Sequence, residues 1–431
     1  MPTHPFDART DALLAQLTKD GLLKHLQMIE GPMGPSIRLR DGHGSIKEVL
    51  CFCSNNYLGL ANHPEVVDAG IKALKDFGAG TASVRFICGT FSPHETLERS
   101  IASYMGTEAA YTFVSAWTAA EALFPTVCEP GDAIISDELN HACIIDAIRL
   151  ATTIKKGIHK GVYKNNLLEG PGSLREALEK ARANKDVTGQ IWVVTDGVFS
   201  MEGSIADLPK MRAICDEFSA MLIVDDSHGH GVMGRTGRGT HEHYGMLDDA
   251  EPSPEVLSGL STLSTIMRKS AHPGRVDVFT GTLGKALGGG AGGFIAASQR
   301  LIDLIIQRGR PTLFSNALPV TVAASANKAI EVLRRDTKLV ERLRDNVGYA
   351  RARLKAAGFD VLPSPTAICP IIVGDTAKAI AMSKKLLELG VFVIGFGYPV
   401  VAEGHARLRC QISAAHTEAH IDELVHALKR L

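Results

Sequence analysis

A lysine stands alone in a glycine-rich stretch of the chain, FTGTLGKALGGGAGGF, at residues 279–294. This residue, Lys285, follows an apolar run (VDVF, 276–279) that is typical of a buried strand. A lysine amine can form a Schiff base with an aldehyde, and flanking glycines let a planar ring come close to the backbone. A lysine taken alone is more often a solvated loop residue, because lysine is rarely buried. The chemistry of Lys285 therefore depends on the residues that accompany it.

Two phosphate-binding motifs come close to fitting but fail. A P-loop has four residues between its first glycine and the Gly-Lys-Ser/Thr, whereas Gly281 and Gly284 are three residues apart and Ala286 follows the lysine. The segment GHGVMG (229–234) has the spacing of a dinucleotide-binding motif, but the preceding DDSH would place carboxylates against a pyrophosphate. The segment RTGRGT follows instead of a helix, so neither motif is favoured.

Polar residues at successive predicted strand ends form a more informative set. Asp225 and His228 follow the run MLIV, Ser200 follows IWVVTDGVF, and Thr282 lies just before the lysine. In an open α/β sheet such residues gather at one edge. A lysine for the aldehyde, an aspartate for the pyridine nitrogen, and hydroxyls for the phosphate are the groups that pyridoxal phosphate (PLP) needs. The set predicts a PLP site, although alone Asp225 could serve a turn and His141 could cap a helix or fill a core.

Short apolar runs alternate with helical stretches between about residues 50 and 320. Strands without polar alternation, separated by amphipathic helices, predict an α/β fold whose sheet is covered on both faces. The predicted strands are AYTFVS (110–115), AIIS (133–136), IWVVTD (191–196), MLIVDD (221–226), VDVFT (276–280) and GFIAAS (293–298).

Three segments are predicted along the chain. Residues 1–50 have leucines at helical spacing near their start and are predicted to form an N-terminal helical arm. Residues 51–320 form the large domain, interrupted by an irregular insertion at about 247–270. Residues 321–431 begin with two helical stretches, continue with strands and helices, and form a smaller C-terminal α+β domain.

The composition narrows the class of protein. With 46 basic and 47 acidic residues, the chain has no charge excess that would indicate binding to nucleic acid or a membrane surface. Its eight cysteines are scattered, with only Cys51 and Cys53 close together, so neither a metal site nor a disulfide framework is expected. No secretory signal and no apolar run of about 18 residues is present. These features predict a soluble cytoplasmic protein.

The chain also resembles the α-oxoamine synthase family of fold-type-I PLP enzymes, from about residue 50 to the C-terminus. This resemblance implies a three-layer αβα fold with a mostly parallel sheet, plus a smaller C-terminal α+β domain. The segments that carry it are NNYLGLANHP, ASVRFICGT, ISDELNHACIIDAIRL, TDGVFSMEG, VDDSHGHG, FTGTLGKALGG, LFSNAL and YPVV...ARLRCQISAAHT.

The resemblance assigns catalytic roles to matching positions. Lys285 would form the Schiff base, Asp225 would hold the pyridinium nitrogen, and His141 would stack on the cofactor ring. His228 and Ser200 would lie near the 3-hydroxyl of that ring.

The resemblance also assigns binding roles. A guanidinium fork suits a carboxylate, so Arg409, helped by Asn55, would bind the amino-acid carboxylate. The cofactor phosphate would be held by Thr282, the backbone amides of Ala116 and Trp117, and Ser315 of the partner subunit.

The blocks SVRFICGT and YPVV...SAAHT favour the glycine-using ligases of this family. They imply that a homodimer with a shared active site condenses glycine with acetyl-CoA to 2-amino-3-oxobutanoate. Trp117 and Gly397 stand where relatives carry phenylalanine and a bulkier residue, and Gly397 is expected to open space on the acyl side. Another small amino acid or another acyl thioester therefore stays open. A non-catalytic subunit is disfavoured because Lys285 and Asp225 are both present.

Overall fold

The computed structural model describes residues 4–20, 22–41, 44–247 and 275–431. The predicted insertion at about 247–270 lies outside the described residues from residue 248 onward.

The strands are short, and those of the predicted large domain fall close to the apolar runs in the sequence. The run IWVVTD matches its strand at both ends, and the other predicted strands agree within a few residues. In chain order the strands are β1 (Met28–Ile29), β2 (Ser36–Arg40), β3 (Ile46–Cys51), β4 (Ala109–Phe113), β5 (Ala133–Asp137), β6 (His159–Tyr163), β7 (Ile191–Asp196), β8 (Ala220–Asp225), β9 (Val278–Thr282), β10 (Gly293–Ala297), β11 (Ile368–Gly374), β12 (Val391–Phe392), β13 (Ile394–Phe396) and β14 (Ala406–Gln411).

Helices begin where the sequence provides capping side chains. Ser115, Ser173, Ser298 and Thr417 each accept a hydrogen bond from a backbone N–H in the first turn of the helix that follows. In chain order the helices are α1 (Pro5–Lys19), α2 (Pro64–Phe77), α3 (Ser92–Met105), α4 (Ala116–Val127), α5 (Ala142–Ile154), α6 (Leu174–Ala183), α7 (Leu208–Glu217), α8 (Thr240–His243), α9 (Gln299–Arg308), α10 (Arg310–Phe314), α11 (Val320–Arg335), α12 (Lys338–Ala356), α13 (Thr376–Glu388) and α14 (Glu418–Leu428).

A seven-stranded sheet in the order β4-β10-β9-β8-β7-β5-β6 forms the centre of the fold. The strands from β9 to β6 pair in parallel, and β10 runs antiparallel to both of its neighbours. Along β7, Ile191 and Val193 belong to one apolar cluster, whereas Trp192 and Val194 belong to another. Because successive side chains of a strand point to opposite faces, both faces of the sheet are covered. The predicted three-layer, mostly parallel α/β fold is confirmed.

The N-terminal segment is only partly helical, so the predicted helical arm over residues 1–50 is wrong for residues 28–29, 36–40 and 46–50, which form strands. Helix α1 is followed by β1, β2 and β3, which form a four-stranded sheet with β12 from the C-terminal part of the chain. In β2 (SIRLR) the buried residues alternate with exposed ones, Ile37 and Leu39 pointing inward. This period of two indicates a strand rather than a helix.

The C-terminal part contains α11 and α12, a three-stranded sheet in the order β11-β14-β13, and helices α13 and α14. Arg407 of β14 donates to the Met201 carbonyl and to Glu202, both at 3.0 Å, in the loop after β7. This contact fixes β14 beside the carboxyl edge of the central sheet. The division at residue 320 into two domains remains a prediction. None of the described helices is long and apolar enough to cross a membrane.

Candidate active site

The carboxyl ends of β7, β8 and β9 meet at one edge of the central sheet. Asp196 and Asp225 end β7 and β8 in register on neighbouring parallel strands, and they are 3% and 4% exposed. The Oδ1 atom of Asp225 accepts the backbone N–H of Ser227 at 2.9 Å, an Asx turn that orients the carboxylate. Burial, together with the neighbouring Asp225 charge, raises the pKa of Asp196 well above its usual range. Two carboxyl groups therefore stand side by side at this edge.

Lys285 lies half-buried in the turn between β9 and β10. Its Nζ makes no hydrogen bond or ion pair to the residues that the structure describes. Burial lowers the pKa of Lys285 to about 8; the Asp225 carboxylate opposes this shift, and the Arg409 guanidinium adds to it. At pH 7 roughly one molecule in ten would carry the unprotonated, nucleophilic amine.

His141 caps helix α5, as the simpler interpretation of this residue suggested. Its Nδ1 accepts the backbone N–H of Cys143 at 3.2 Å, and its own backbone N–H donates to Asp196 Oδ1 at 3.4 Å. Burial lowers the pKa of His141, Asp225 partly offsets this, and Lys285 lowers it further. His141 therefore lies within electrostatic reach of both charged residues predicted for the site.

A hydrogen-bonded chain connects His228 to Asn55. The Tyr57 hydroxyl lies 2.9 Å from His228 Nδ1 and donates to Asn55 Oδ1 at 3.3 Å. Gln411 Nε2 also donates to Asn55 Oδ1 and to the Tyr57 hydroxyl. Since Oδ1 of Asn55 accepts from two groups, its Nδ2 remains the donor side of the amide. Burial lowers the pKa of His228 well below its usual value, as do the charges of Lys285 and Arg409.

Arg409 of β14 is 6% exposed, and its Nε and Nη2 atoms are buried without a hydrogen-bond partner among the described residues. A buried guanidinium with two unused donors is costly unless an anion binds it. Its charge affects the pKa values of Lys285 and His228, so it faces the same edge of the sheet. The geometry of the free N–H groups suits a carboxylate.

The first turn of α4 offers a second anion site. Ala116 and Trp117 open the helix, and backbone N–H groups at this position have no intrahelical acceptor. Ser115 caps the helix by accepting the N–H of Thr118 at 3.1 Å. A Cβ at Gly293 of β10 would lie 2.3 Å from the Ala116 nitrogen, so only glycine allows this close approach. Two N–H groups at the positive end of a helix suit a phosphate.

Thr282, Ser200 and Ser315, the remaining predicted residues, make no side-chain hydrogen bond to Lys285 or Asp225. The Thr282 hydroxyl donates to the Gly292 carbonyl at 3.2 Å and accepts the Gly284 N–H at 3.1 Å, closing the turn that carries the lysine. Ser200 lies half-buried in the turn after β7, and Ser315 follows α10. Neither serine hydroxyl has a hydrogen-bond partner among the described residues, and their predicted contacts with a cofactor stay predictions.

Two positions were singled out as departures from relatives. Trp117 is 39% exposed, donates from Nε1 to Glu121 at 3.0 Å, and lies edge-on to His141 with ring centroids 6.5 Å apart. A Cβ at Gly397 would lie 2.4 Å from Thr376 side-chain atoms. The expectation that Gly397 opens space on the acyl side is therefore wrong, because Thr376 fills that volume.

Three residues of this region were not assigned a role from the sequence. Asp196 ends an apolar run in the same way as Asp225, so the same argument would have identified it. Tyr57 lies in the segment NNYLGL but is 171 positions from its partner His228, which no local pattern reveals. Gln411 follows Arg409 by two residues on β14 and therefore lies on the same face of that strand.

The groups at this edge of the sheet fit PLP. A nucleophilic amine at Lys285, a carboxylate at Asp225 and free N–H groups at the start of α4 match the aldehyde, the pyridine nitrogen and the phosphate. The Nε and Nη2 donors of Arg409, which have no hydrogen-bond partner among the described residues, suit a further anion, the carboxylate of an amino acid.

Comparisons with known proteins show the family of this chain and relate it to PLP enzymes. The model of the aminotransferase class I and II family matches residues 47–428. Human mitochondrial 2-amino-3-ketobutyrate coenzyme A ligase is 40% identical over 408 residues, covering 94% of this chain and 87% of that protein. An 8-amino-7-oxononanoate synthase from Alkaliphilus metalliredigens is 38% identical over 418 residues, covering 97% and 95%. A solved structure of SPT (serine palmitoyltransferase) with PLP has a TM-score of 0.82 at 27% identity, covering 98% of this chain and 97% of that one.

Proposed function

The chain belongs to the aminotransferase class I and II family, and we propose that it is a PLP-dependent acyltransferase that condenses glycine with acetyl-CoA. The products are 2-amino-3-oxobutanoate and CoA. The reaction is reversible, and the reverse direction would serve threonine degradation. The choice of glycine and an acetyl group rests on the 40% identity with a 2-amino-3-ketobutyrate coenzyme A ligase.

In this proposal, different residues of the site bind different parts of the cofactor. Lys285 attaches it, Asp225 holds its pyridine nitrogen, and the N–H groups of Ala116 and Trp117 bind its phosphate. His141 packs against its ring, and His228 with Ser200 contacts its 3-hydroxyl. Thr282 of the same subunit adds a hydroxyl at the phosphate, and Ser315 of the partner subunit adds another. When bound, PLP supplies an electron sink for the electron pair left on the Cα atom of an amino acid.

One observation carries the assignment of an amino-acid substrate: the buried guanidinium of Arg409 has two donors without a partner, within electrostatic reach of the Lys285 amine. A bidentate bond from Arg409 would fix the substrate carboxylate. The Nδ2 of Asn55 would add a third bond, since Tyr57 and Gln411 donate to the oxygen of this amide and leave its N–H groups for the substrate.

Lys285 is also the base that moves the proton of the Cα–H bond. Its pKa of about 8 lies near neutral pH, where a general base works best. Arg409 and Asn55 hold the amino acid in one orientation, in which its Cα–H bond points at the Nζ atom of Lys285. The carbon then attacks the thioester carbonyl of acetyl-CoA, a carbon–carbon bond forms, and CoA leaves as the thiol.

A second candidate keeps the same chemistry with other substrates. The similarity to an 8-amino-7-oxononanoate synthase, 38% identical over 97% of this chain, favours it. In that case another small amino acid or a longer acyl thioester replaces glycine or acetyl-CoA. No residue of the proposed cofactor site changes between the two candidates.

We further propose that the enzyme is a cytoplasmic homodimer whose two subunits share each active site. Helix α2 exposes Val67, Ile71, Leu74 and Phe77 at spacings of three and four residues, an apolar stripe that suits a subunit interface. Helix α1 buries none of its residues in this chain and would gain a partner in the dimer.

Purified protein tests this proposal when it is mixed with glycine and acetyl-CoA and the CoA thiol is titrated. Thiol release that needs glycine and vanishes in Lys285→Ala supports it. Release by wild type and by Lys285→Ala at the same rate would contradict it. Lys384→Ala, at an exposed position of α13, is the matched lysine control and should behave as wild type.

A further inference from the structure

We propose that the thiol of Cys143 donates a hydrogen bond to His141 Nδ1 and thereby holds the imidazole in the tautomer whose proton lies on Nε2. The Cys143 Sγ atom is 3.0 Å from His141 Nδ1. The backbone N–H of the same cysteine points at the same nitrogen from 3.2 Å. Because a backbone N–H can only donate, Nδ1 must be the acceptor, and Cys143 is a positioning residue.

The direction of the thiol hydrogen bond follows from the surroundings of the sulfur. Cys143 is 1% exposed in the apolar layer between the sheet and helices α4 and α5. Burial raises the pKa of the Cys143 thiol, and the carboxylates of Asp225 and Asp196 raise it further. The sulfur therefore keeps its hydrogen, and that hydrogen points to Nδ1. A reactive thiolate paired with an imidazolium is excluded by the same facts.

Three contacts together leave the His141 ring little freedom. The backbone N–H of His141 donates to Asp196 Oδ1 at 3.4 Å, and Nδ1 receives both donors of Cys143. Asn140, the preceding residue, bonds to Ser136 and to the Val194 carbonyl at 2.9 Å each. The cap of α5 is thus tied to β5 and β7, and the tautomer is set by the residue two positions along the helix.

Charged and titratable groups from neighbouring elements also act on His141. Asp225 on β8 favours the protonated ring, whereas burial and Lys285 after β9 disfavour it. Asp196 on β7 accepts from the backbone of His141, and His228 after β8 is close enough to interact with it electrostatically. The thiol can donate to Nδ1 only while Nδ1 carries no proton, so this hydrogen bond favours the neutral ring. Losing this donor should raise the pKa of His141.

Nuclear magnetic resonance of histidine-labelled protein, purified with its cofactor, tests the inference. Among the 16 histidines, the signal of His141 is identified by its loss in His141→Gln. In Cys143→Ala the pKa of His141 should rise by about 0.5 unit, the value of one weak hydrogen bond to the neutral form. In Cys143→Ser the hydroxyl replaces the donor, and the pKa should return to the wild-type value or fall below it.

A matched control separates this effect from the loss of volume in the core. Cys128 lies in the same apolar cluster, is fully buried, and does not contact His141, so Cys128→Ala should leave the His141 signal unchanged. An unchanged His141 pKa in Cys143→Ala, or equal shifts in Cys143→Ala and Cys143→Ser, would overturn the inference. The inference rests on the proposed function only for His141 facing the cofactor. The measurement itself needs no substrate, so it stands or fails apart from the proposed activity.

Discussion

Replacing Arg409 separates two effects of one guanidinium: its bond to the substrate carboxylate and its charge beside Lys285. Arg409→Gln removes both. The loss of a buried bidentate, charge-assisted pair costs about 2–3 kcal/mol, which corresponds to a fall of about 30- to 150-fold in kcat/KM for glycine. Removing the positive charge should also raise the pKa of Lys285 from about 8 toward its ordinary value, because Arg409 disfavours the protonated amine.

Arg409→Lys keeps the charge but loses the planar fork. An ammonium binds a carboxylate as a point charge, so we expect a smaller loss in kcat/KM of about 5- to 30-fold, or about 1–2 kcal/mol. The pKa of Lys285 should stay near 8 in this variant. The comparison of the two variants therefore isolates geometry from charge.

Two assays measure the two effects. Initial rates at varied glycine and saturating acetyl-CoA give kcat/KM. The rate at which cofactor-free protein recovers its visible absorbance with added PLP, measured against pH, reports the unprotonated fraction of Lys285. A wild-type kcat/KM for glycine in Arg409→Gln would refute the carboxylate site. Equal alkaline shifts in both variants would refute the electrostatic argument.

Three further predictions follow from the same site and from the buried histidines. Lys285→Ala should abolish turnover while the folded protein persists, and borohydride should fix PLP covalently to wild type only; substantial remaining activity would contradict the role of this lysine. Asp225→Ala should weaken PLP binding by about 2 kcal/mol or more, measured by equilibrium titration of the cofactor, and an unchanged affinity would assign the pyridine nitrogen to another group. Burial lowers the pKa values of His230, His241 and His416 to about 4, 3 and 4. Each of these histidines binds a proton more readily in the unfolded chain. Their contribution to the free energy of unfolding is therefore complete above pH 6.5 and is lost as the pH falls, by about 1 kcal/mol each at pH 5.5. At fixed protein and cofactor concentration, the urea midpoint of unfolding should decrease when the pH is lowered from 7.5 to 5.5. A constant midpoint would contradict this.

The sequence predicts the buried strands better than the exposed ones. IWVVTD is apolar almost throughout because β7 is buried on both faces, and both of its ends could be predicted. β6 (HKGVY) was missed because it lies at the edge of the sheet, where Lys160 and Val162 are exposed and the strand forms no apolar run. β2 and β3 were taken for part of a helical arm because the leucines at residues 13–23 were extended too far along the chain.

For the site, strand-end residues could be predicted, whereas their partners could not. Lys285 and Asp225 follow apolar runs, and the topology of an open sheet brings such residues together. The contact of Tyr57 with His228 joins residues far apart in sequence, so only the folded chain reveals it. Likewise, only the folded chain shows that Arg409 is buried with two donors that have no partner among the described residues. A role for the Cys143 thiol could not be predicted either, because it depends on the contact with Nδ1 of His141 that the fold creates.

The central claim is that this enzyme joins glycine to a short acyl group. The measurement that tests it most directly compares kcat/KM for glycine, alanine and serine with acetyl-CoA, and then for glycine across acyl-CoA chain lengths. A pocket shaped around the second α-hydrogen of glycine rejects a methyl group by steric overlap, whereas a pocket shaped for alanine would lose only about 1–3 kcal/mol with glycine. We predict that glycine exceeds alanine and serine, and that acetyl-CoA exceeds long-chain thioesters. A higher kcat/KM for alanine or serine than for glycine would contradict the account and replace it with the broader synthase function.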